Sequence, residues 1–285
     1  MGQSRFRSYR IGVVAALLFA GMLTGVGTPP AAGQVTAVNG SAFGYSLSVN
    51  LFGGTNNVRG PAPTVSLPAA GSSTPVTATL PSAVAEVSPA TFFSSGQIEV
   101  STQGTAAGGS VTSSARITNL NTSQAEALTA SAVASTCTAS GSGPATGSTT
   151  ITGGTLLTDS GDDNGANSIP DHPAVTQALA GSPAPNTTIE GHVHFGNATD
   201  NFRFVFNEQI RGANGTLTVN AVHQYLLGPT AVGELILGQV VCGVTGSTQA
   251  TTTTVSGATT TTAAGATTTT SVSYTHLTLP TICSV

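Results

Sequence analysis

The 285-residue chain has no tryptophan, and all seven of its basic residues are arginine, so it has no lysine either. Without lysine, the Lys–Asn isopeptide crosslinks used by some bacterial surface adhesins are excluded. Three arginines fall within the first ten residues. That leaves Arg59, Arg116, Arg203 and Arg211 against eleven acidic residues. Nucleic acid and anionic membranes call for clustered Lys and Arg, so neither is an expected partner. Carbohydrate platforms are built from exposed Trp and Tyr; here there are four tyrosines, two of them (Tyr9 and Tyr274) at the extremes of the chain. Charged residues make up only 6 %, so solubility must come from Ser, Thr, Asn and Gly. No long apolar run follows the first thirty residues, and no membrane span is expected in the mature part. No Gly-x-Ser-x-Gly nucleophile elbow occurs.

The first 33 residues read as an export signal. Arg5, Arg7 and Arg10 precede an apolar run from Ile11 to Val26; Pro29 and Pro30 end any helix, and Ala31-Ala32-Gly33 offers small residues for cleavage. A charged start, apolar middle and small-residue exit distinguish a secretory leader from a membrane span. The mature chain is expected to begin near Gln34 and to be secreted. At the other end, Val272-Ser-Tyr-Thr-His-Leu-Thr-Leu-Pro-Thr281 is what the adapter of a transposase-based sequencing library encodes when read in frame. Residues 272–285 are therefore expected to be an artefactual tail, with the anchor missing from this truncated chain. Between body and tail, residues 247–271 are Thr/Ala/Gly-rich, with Ala-Thr-Thr-Thr-Thr recurring at Ala250, Ala258 and Ala266. Such a segment has no core-forming side chains and suits a disordered stalk or plain linker.

Residues 34–246 are patterned as strands. Phe43, Tyr45, Leu47, Val49 and Leu51 alternate with small or polar residues, the period of a half-buried strand. Further strands are read at 97–102, 111–120, 127–138, 149–157, 188–195, 201–209, 215–227 and 233–244. The Pro-rich stretch 61–81 reads as loop with short edge strands, and residues 173–180 as a short helix. Phe202, Phe204 and Phe206 fall on one face. Arg211-Gly-Ala-Asn-Gly215 is a turn whose Asn-Gly step favours positive φ. In the strand that follows, Leu217, Val219, Ala221, His223 and Tyr225 are expected to share a face. The apolar run 233–244 reads as a central strand buried on both sides. Many short strands and frequent Gly/Pro turns predict an all-β, sandwich-like body of antiparallel strands in one domain.

The runs Phe204-Val-Phe-Asn-Glu-Gln209, Gly215-Thr-Leu-Thr-Val-Asn-Ala-Val-His223 and Leu237-Gly-Gln-Val-Val-Cys242, with the early Ala42-Phe-Gly-Tyr-Ser-Leu-Ser-Val49 strand, resemble the actinobacterial choice-of-anchor P proteins over about residues 36–245. The resemblance implies an exported surface protein whose members share a body and differ in their anchors. It supplies no catalytic residues.

Three groups of side chains are candidates for chemistry. Cys137 and Cys242 are an even pair in an exported chain once Cys283 is set aside with the tail, and a disulfide between them is expected. His192 and His194 are two apart on a strand and face the same side; with His223 from a nearby strand they would form a three-histidine zinc site. The competing arrangement leaves His192 and His194 solvated, with His223 capping a packed strand. In the acidic loop Asp159, Asp162, Asp163, Asn164 and Asp171, counting from Ser160 puts Asp162, Asn164 and Asp171 at positions three, five and twelve of an EF-hand-like loop for Ca2+. The alternative is a plain solvated Asx-rich loop. Beyond that ion no cofactor is expected. Glu208 could act as a general acid, with Glu190 the only second carboxylate to suggest itself. The expectation is a non-enzymatic surface protein of structural or adhesive role in contact with the cell envelope or an extracellular ligand. A carbohydrate-binding module or glycan-acting hydrolase is the alternative.

Overall fold

The computed structural model describes residues 34–246, apart from 89, 123–126, 163–169, 196 and 213. The leader, the Thr-rich tract, the expected adapter tail and Asn164 of the acidic loop lie outside the described residues. Fifteen strands carry the chain: β1 (Val35–Leu51), β2 (Asn56–Ser66), β3 (Ser72–Leu80), β4 (Ala83–Val87), β5 (Ala90–Ser95), β6 (Ile98–Thr105), β7 (Ser110–Thr122) and β8 (Leu128–Ser140), then β9 (Gly143–Thr152), β10 (Thr155–Asp159), β11 (Val175–Ala178), β12 (Thr187–Phe195), β13 (Ala198–Arg211), β14 (Leu217–Leu227) and β15 (Ala231–Gly246). Among the described residues there is no helix, and the all-β class read from the sequence is what the structure shows.

One continuous sheet, in the order β2-β1-β15-β14-β13-β12-β10-β8-β7-β5-β4, folds over on itself. β3 and β6 extend it from β7, β9 borders β8, and β11 borders β10. β1 packs on β6 and β7, β15 on β7 and β8, and β14 on β8 and β9. The result is two facing layers, nearly closed like a barrel, that meet through the β12–β10–β8 corner. Leu47, Ile98, Ile117, Leu217, Leu235, Leu237 and the three phenylalanines of β13 are buried almost completely between them. The phenylalanine rings lie 5.6 and 5.9 Å apart in sequence order, one pair edge-to-face and one stacked. Hydroxyls also join the layers: Ser113 Oγ donates to the Val241 carbonyl at 2.8 Å and Ser135 Oγ to the Gly238 carbonyl at 2.6 Å.

Two local expectations are corrected. The stretch 61–81 is mostly strand, not loop. β2 carries Pro61 and Pro63 as an edge strand paired only with β1, a place where the missing N–H breaks no second ladder. The segment 173–180 forms β11, not a helix. Enclosed by Pro173 and Gly181, it is too short to nucleate a helix, whereas the edge of β10 offers partners for its backbone groups.

A third difference reorganises the sheet. Four strands change phase along one transverse line. In β1 the buried positions run Gly40, Ala42, Gly44 and then Leu47, Val49; in β15 they run Leu235, Leu237 and then Gly238, Val240, Cys242. In β14 the buried apolar positions run Leu217, Val219, Ala221 and then Val222 and Leu226, with Asn220, His223 and Gln224 buried as well. In β13 Phe206 is followed by buried Asn207. The flanking ladder pairs, Phe43 with Gln239 and Tyr45 with Leu237, Asn220 with Gln239 and Val222 with Leu237, Phe206 with Val222 and Glu208 with Asn220, put Gly44, Gly238, Ala221 and Asn207 in one line, at which each ladder skips a pair. Gly238 and Asn207 have φ of 62° and 52°. A residue in that left-handed region turns the next side chain to the other face, so the pleat restarts with opposite parity. Small residues line the crease because the opposite layer presses on it: a Cβ on Gly44 would sit 2.5 Å from Ile98 Cγ2. The run 233–244 is therefore not simply apolar on both faces; it reverses phase midway. Phe43, expected in the core, is only half-buried.

Candidate metal centre

β10 is short and ends at Asp159, where the chain meets β12 through a single parallel pair, Asp159 with His192. Gly161 turns the backbone with φ of 70°, and its N–H donates to Asp159 Oδ1 at 2.8 Å. A side chain at Gly161 would collide with the Ala174 nitrogen at 2.5 Å. The Ser160 N–H donates to the His192 carbonyl at 3.3 Å, and Ser160 Oγ accepts from the His194 N–H at 2.9 Å. After residues 163–169 the chain returns, and Asp162 and His172 exchange two backbone hydrogen bonds of 2.9 and 2.6 Å. Local pairing thus brings His172 to the end of β10, while the two-residue spacing on β12 turns His192 and His194 toward the same place.

The four side chains converge. One ligand atom from each of Asp159, His172, His192 and His194 lies within 4.8 Å of all the others. The Nε2 atoms of His172, His192 and His194 stand 3.1, 3.2 and 3.7 Å from Asp159 oxygens. The His172 and His192 rings pack edge-on to His194, with centroids 5.3 and 5.0 Å away. His172 Nδ1 lies 2.7 Å from the Pro170 carbonyl, which can only accept, so this nitrogen carries a hydrogen. That bond first, then the Asp159 carboxylate, raises the His172 pKa against a smaller effect of burial. For Asp159 burial is the largest influence and acts upward. The Gly161 N–H, the His172 hydrogen bond and the charges of His192 and His172 together outweigh it and hold the carboxyl below its ordinary value. His194 is the most enclosed of the three imidazoles, its side chain 8 % exposed. Its Nδ1 meets Thr199 Oγ1 at 3.2 Å, but its buried Nε2 has no hydrogen-bond partner.

His223 is not part of this group, which corrects the three-histidine reading. It lies on β14 beyond the crease, with Nδ1 2.7 Å from Glu208 Oε2 and Nε2 3.1 Å from Glu234 Oε2. Each ring nitrogen is occupied by a carboxylate. Asn220 Nδ2 and the Tyr225 hydroxyl donate to Glu208 at 2.6 and 3.1 Å. The His223 and Tyr225 rings stack at 3.9 Å, and the Arg203 guanidinium covers Tyr225 at 4.3 Å. Burial acts upward on Glu208, but the hydrogen bonds from His223, Asn220 and Tyr225 prevail and hold its pKa below the usual value. Burial first, then Glu208, raises Tyr225. Glu190, expected as the second carboxylate, is exposed and pairs across the ladder with Arg203; the second carboxylate at His223 is Glu234.

The EF-hand-like reading is corrected in its flanks. Asp162 is buried and Asp171 exposed, and the segment between β10 and β11 is bordered by strands where an EF-hand has helices. Cys137 on β8 and Cys242 on β15 form the expected disulfide, with Cα atoms 5.7 Å apart and both residues fully buried. It links the two layers. Sequence reasoning did not place Asp159 and His172 in this cluster. The only signals were the position of Asp159 beside Gly161 and the Pro170-Asp-His-Pro173 run, neither of which names a metal. Among the described residues no helix is long and apolar enough to cross a membrane. No family model, curated protein or solved structure matches the chain.

Proposed function

We propose that the chain is an exported cell-surface protein of the choice-of-anchor P kind, structural or adhesive in role and without catalytic activity. The observation that carries this reading is the buried disulfide between β8 and β15. Such a bond persists in an oxidising compartment and is rare in the cytoplasm, and it agrees with the leader read at residues 1–33. The Thr-rich tract would then space the body from the envelope.

The carbohydrate-binding alternative loses support. Tyr45 packs on Phe93 with centroids 5.1 Å apart, and Tyr225 is engaged by the His223 ring and the Arg203 guanidinium, so Tyr225 is not a free stacking platform.

Fractionation of the producing cell, with thiol alkylation before and after reduction, tests the proposal. The expected product lacks the leader, is recovered outside the cytoplasm and resists alkylation until reduced. Recovery of the intact polypeptide from the cytosol with both thiols reactive would overturn it. Tight, saturable retention of the secreted protein on peptidoglycan or a glycan array would favour the carbohydrate reading instead.

A further inference from the structure

We propose that Asp159, His172, His192 and His194 bind one zinc-type divalent transition-metal ion, and that this ion fastens the corner where the sheet passes from one layer to the other. The inference is independent of where the protein resides.

Hydrogen bonding alone does not satisfy the cluster. Asp159 can accept from Gly161, His172 and His192, but the buried Nε2 of His194 is left at 3.7 Å from the carboxylate with no partner. A buried polar atom without a partner destabilises the fold. One cation placed among the four atoms removes the problem, because each imidazole then turns a lone pair inward. The outer nitrogens already suit that state. His172 Nδ1 donates to the Pro170 carbonyl, and His194 Nδ1 lies on the Thr199 hydroxyl. Ligand histidines in metal sites are commonly oriented by such an outer hydrogen bond. In a tetrahedron with bonds of about 2.0–2.1 Å, neighbouring donor atoms stand roughly 3.3–3.4 Å apart. The nitrogen-to-carboxylate distances of 3.1 and 3.2 Å to Oδ2 and 3.7 Å to Oδ1 are close to that spacing, and the four donors as a set lie within 4.8 Å of one another.

The donor set selects the ion. Three imidazole nitrogens and one carboxylate suit a borderline transition metal, while Ca2+ and Mg2+ take oxygen. Four protein ligands also complete a tetrahedron, the arrangement of structural sites; catalytic zinc keeps a position for water.

The position explains what the ion would do. β12 and the end of β10 are joined by one residue pair and by the hydrogen bonds of Ser160 with His192 and His194, while β12 shares a full ladder with β13. The four ligands come from both sides of that narrow junction and from the returning segment at His172. A metal bridge there reinforces the thinnest part of the path between the layers.

Tag-free, chelator-stripped protein, titrated with Zn2+ in competition with a chromophoric chelator, tests the assignment. One equivalent of Zn2+ should bind and raise the melting temperature, whereas Ca2+ should do neither. His172 and His192 are each about a third exposed, so His172→Gln and His192→Gln should fold and lose about 100-fold or more in zinc affinity, at least what loss of an outer-shell partner costs. His223→Gln should retain wild-type affinity. Failure of the wild type to bind stoichiometric Zn2+, or undiminished affinity in both variants, would overturn the proposal. Should a variant not fold, Co2+ bound to the wild type decides: intense visible absorption of a tetrahedral centre supports the ligand set, and a weak octahedral spectrum sinks it.

Discussion

At the scale of single residues, the buried polar groups carry the most testable consequences. Glu208 ties His223, Asn220 and Tyr225 together. Its folded pKa lies below the reference value of 4.5, so the unfolded chain binds the proton more readily. Its contribution is complete above pH 4.5 and is lost as the pH falls through the lower folded value. Glu208→Gln should cost about 1–3 kcal/mol at neutral pH, the scale of a charged hydrogen bond broken with its partners left buried. It should also flatten the acid limb of a melting-temperature profile; an unchanged limb would remove Glu208 from the account. Residue by residue, the site was legible only in part. The shared side of His192 and His194 follows from strand period alone, and the cysteine pair follows from its number and the leader. His172 and Asp159 could not be recognised as ligands, because their meeting depends on a parallel strand pair and a bridge across residues 163–169. His223 was grouped with His192 and His194 because its strand was expected to lie nearby; β13 stands between β12 and β14, and Glu208 and Glu234 hold the ring there.

At the scale of elements, the crease across β1, β15, β14 and β13 sets which side chains face the core. Gly238 combines a φ of 62° with a virtual Cβ only 3.1 Å from the Ala221 Cβ. Gly238→Ala should destabilise the protein by about 1–3 kcal/mol, the usual cost of a non-glycine residue held in that region. Denaturant unfolding measures it, and a neutral result would mean that the crease relaxes freely. Most strands were readable, since alternation and turn residues act locally. β2, β3, β4, β5 and β11 were not read as strands in their own right, and β9 and β10 were read as one strand at 149–157; β3 and β11 owe their extended form to β6 and β10, partners that no short window of residues contains. The turn at residues 211–215 was readable for the opposite reason: Gly215 adopts the expected positive φ, at 73°, from local sequence alone.

At the scale of the molecule, the sandwich is tied across its layers by the Cys137–Cys242 bond, which spans 105 residues. In the chain-entropy picture a loop of that length contributes about 4–5 kcal/mol. Cys137→Ser with Cys242→Ser should therefore lower the melting temperature on the order of 10 °C for a body of this size. Calorimetry of the double variant checks it, and a shift of only a degree or two would show that packing and hydroxyl contacts hold the layers unaided.

The same bond governs how a pull would travel. β1 begins where β15 finishes, with Val35 beside Gly246, so both ends of the described body emerge at one pole. Tension arriving along the chain beyond Gly246 would first unzip residues 243–246 from their neighbours. At Cys242 the peeling front stops, because the sulfur bridge shunts the load sideways into β8 and the second layer. The last strand is thus protected from being drawn out of the sheet by a knot placed a few residues from its exit.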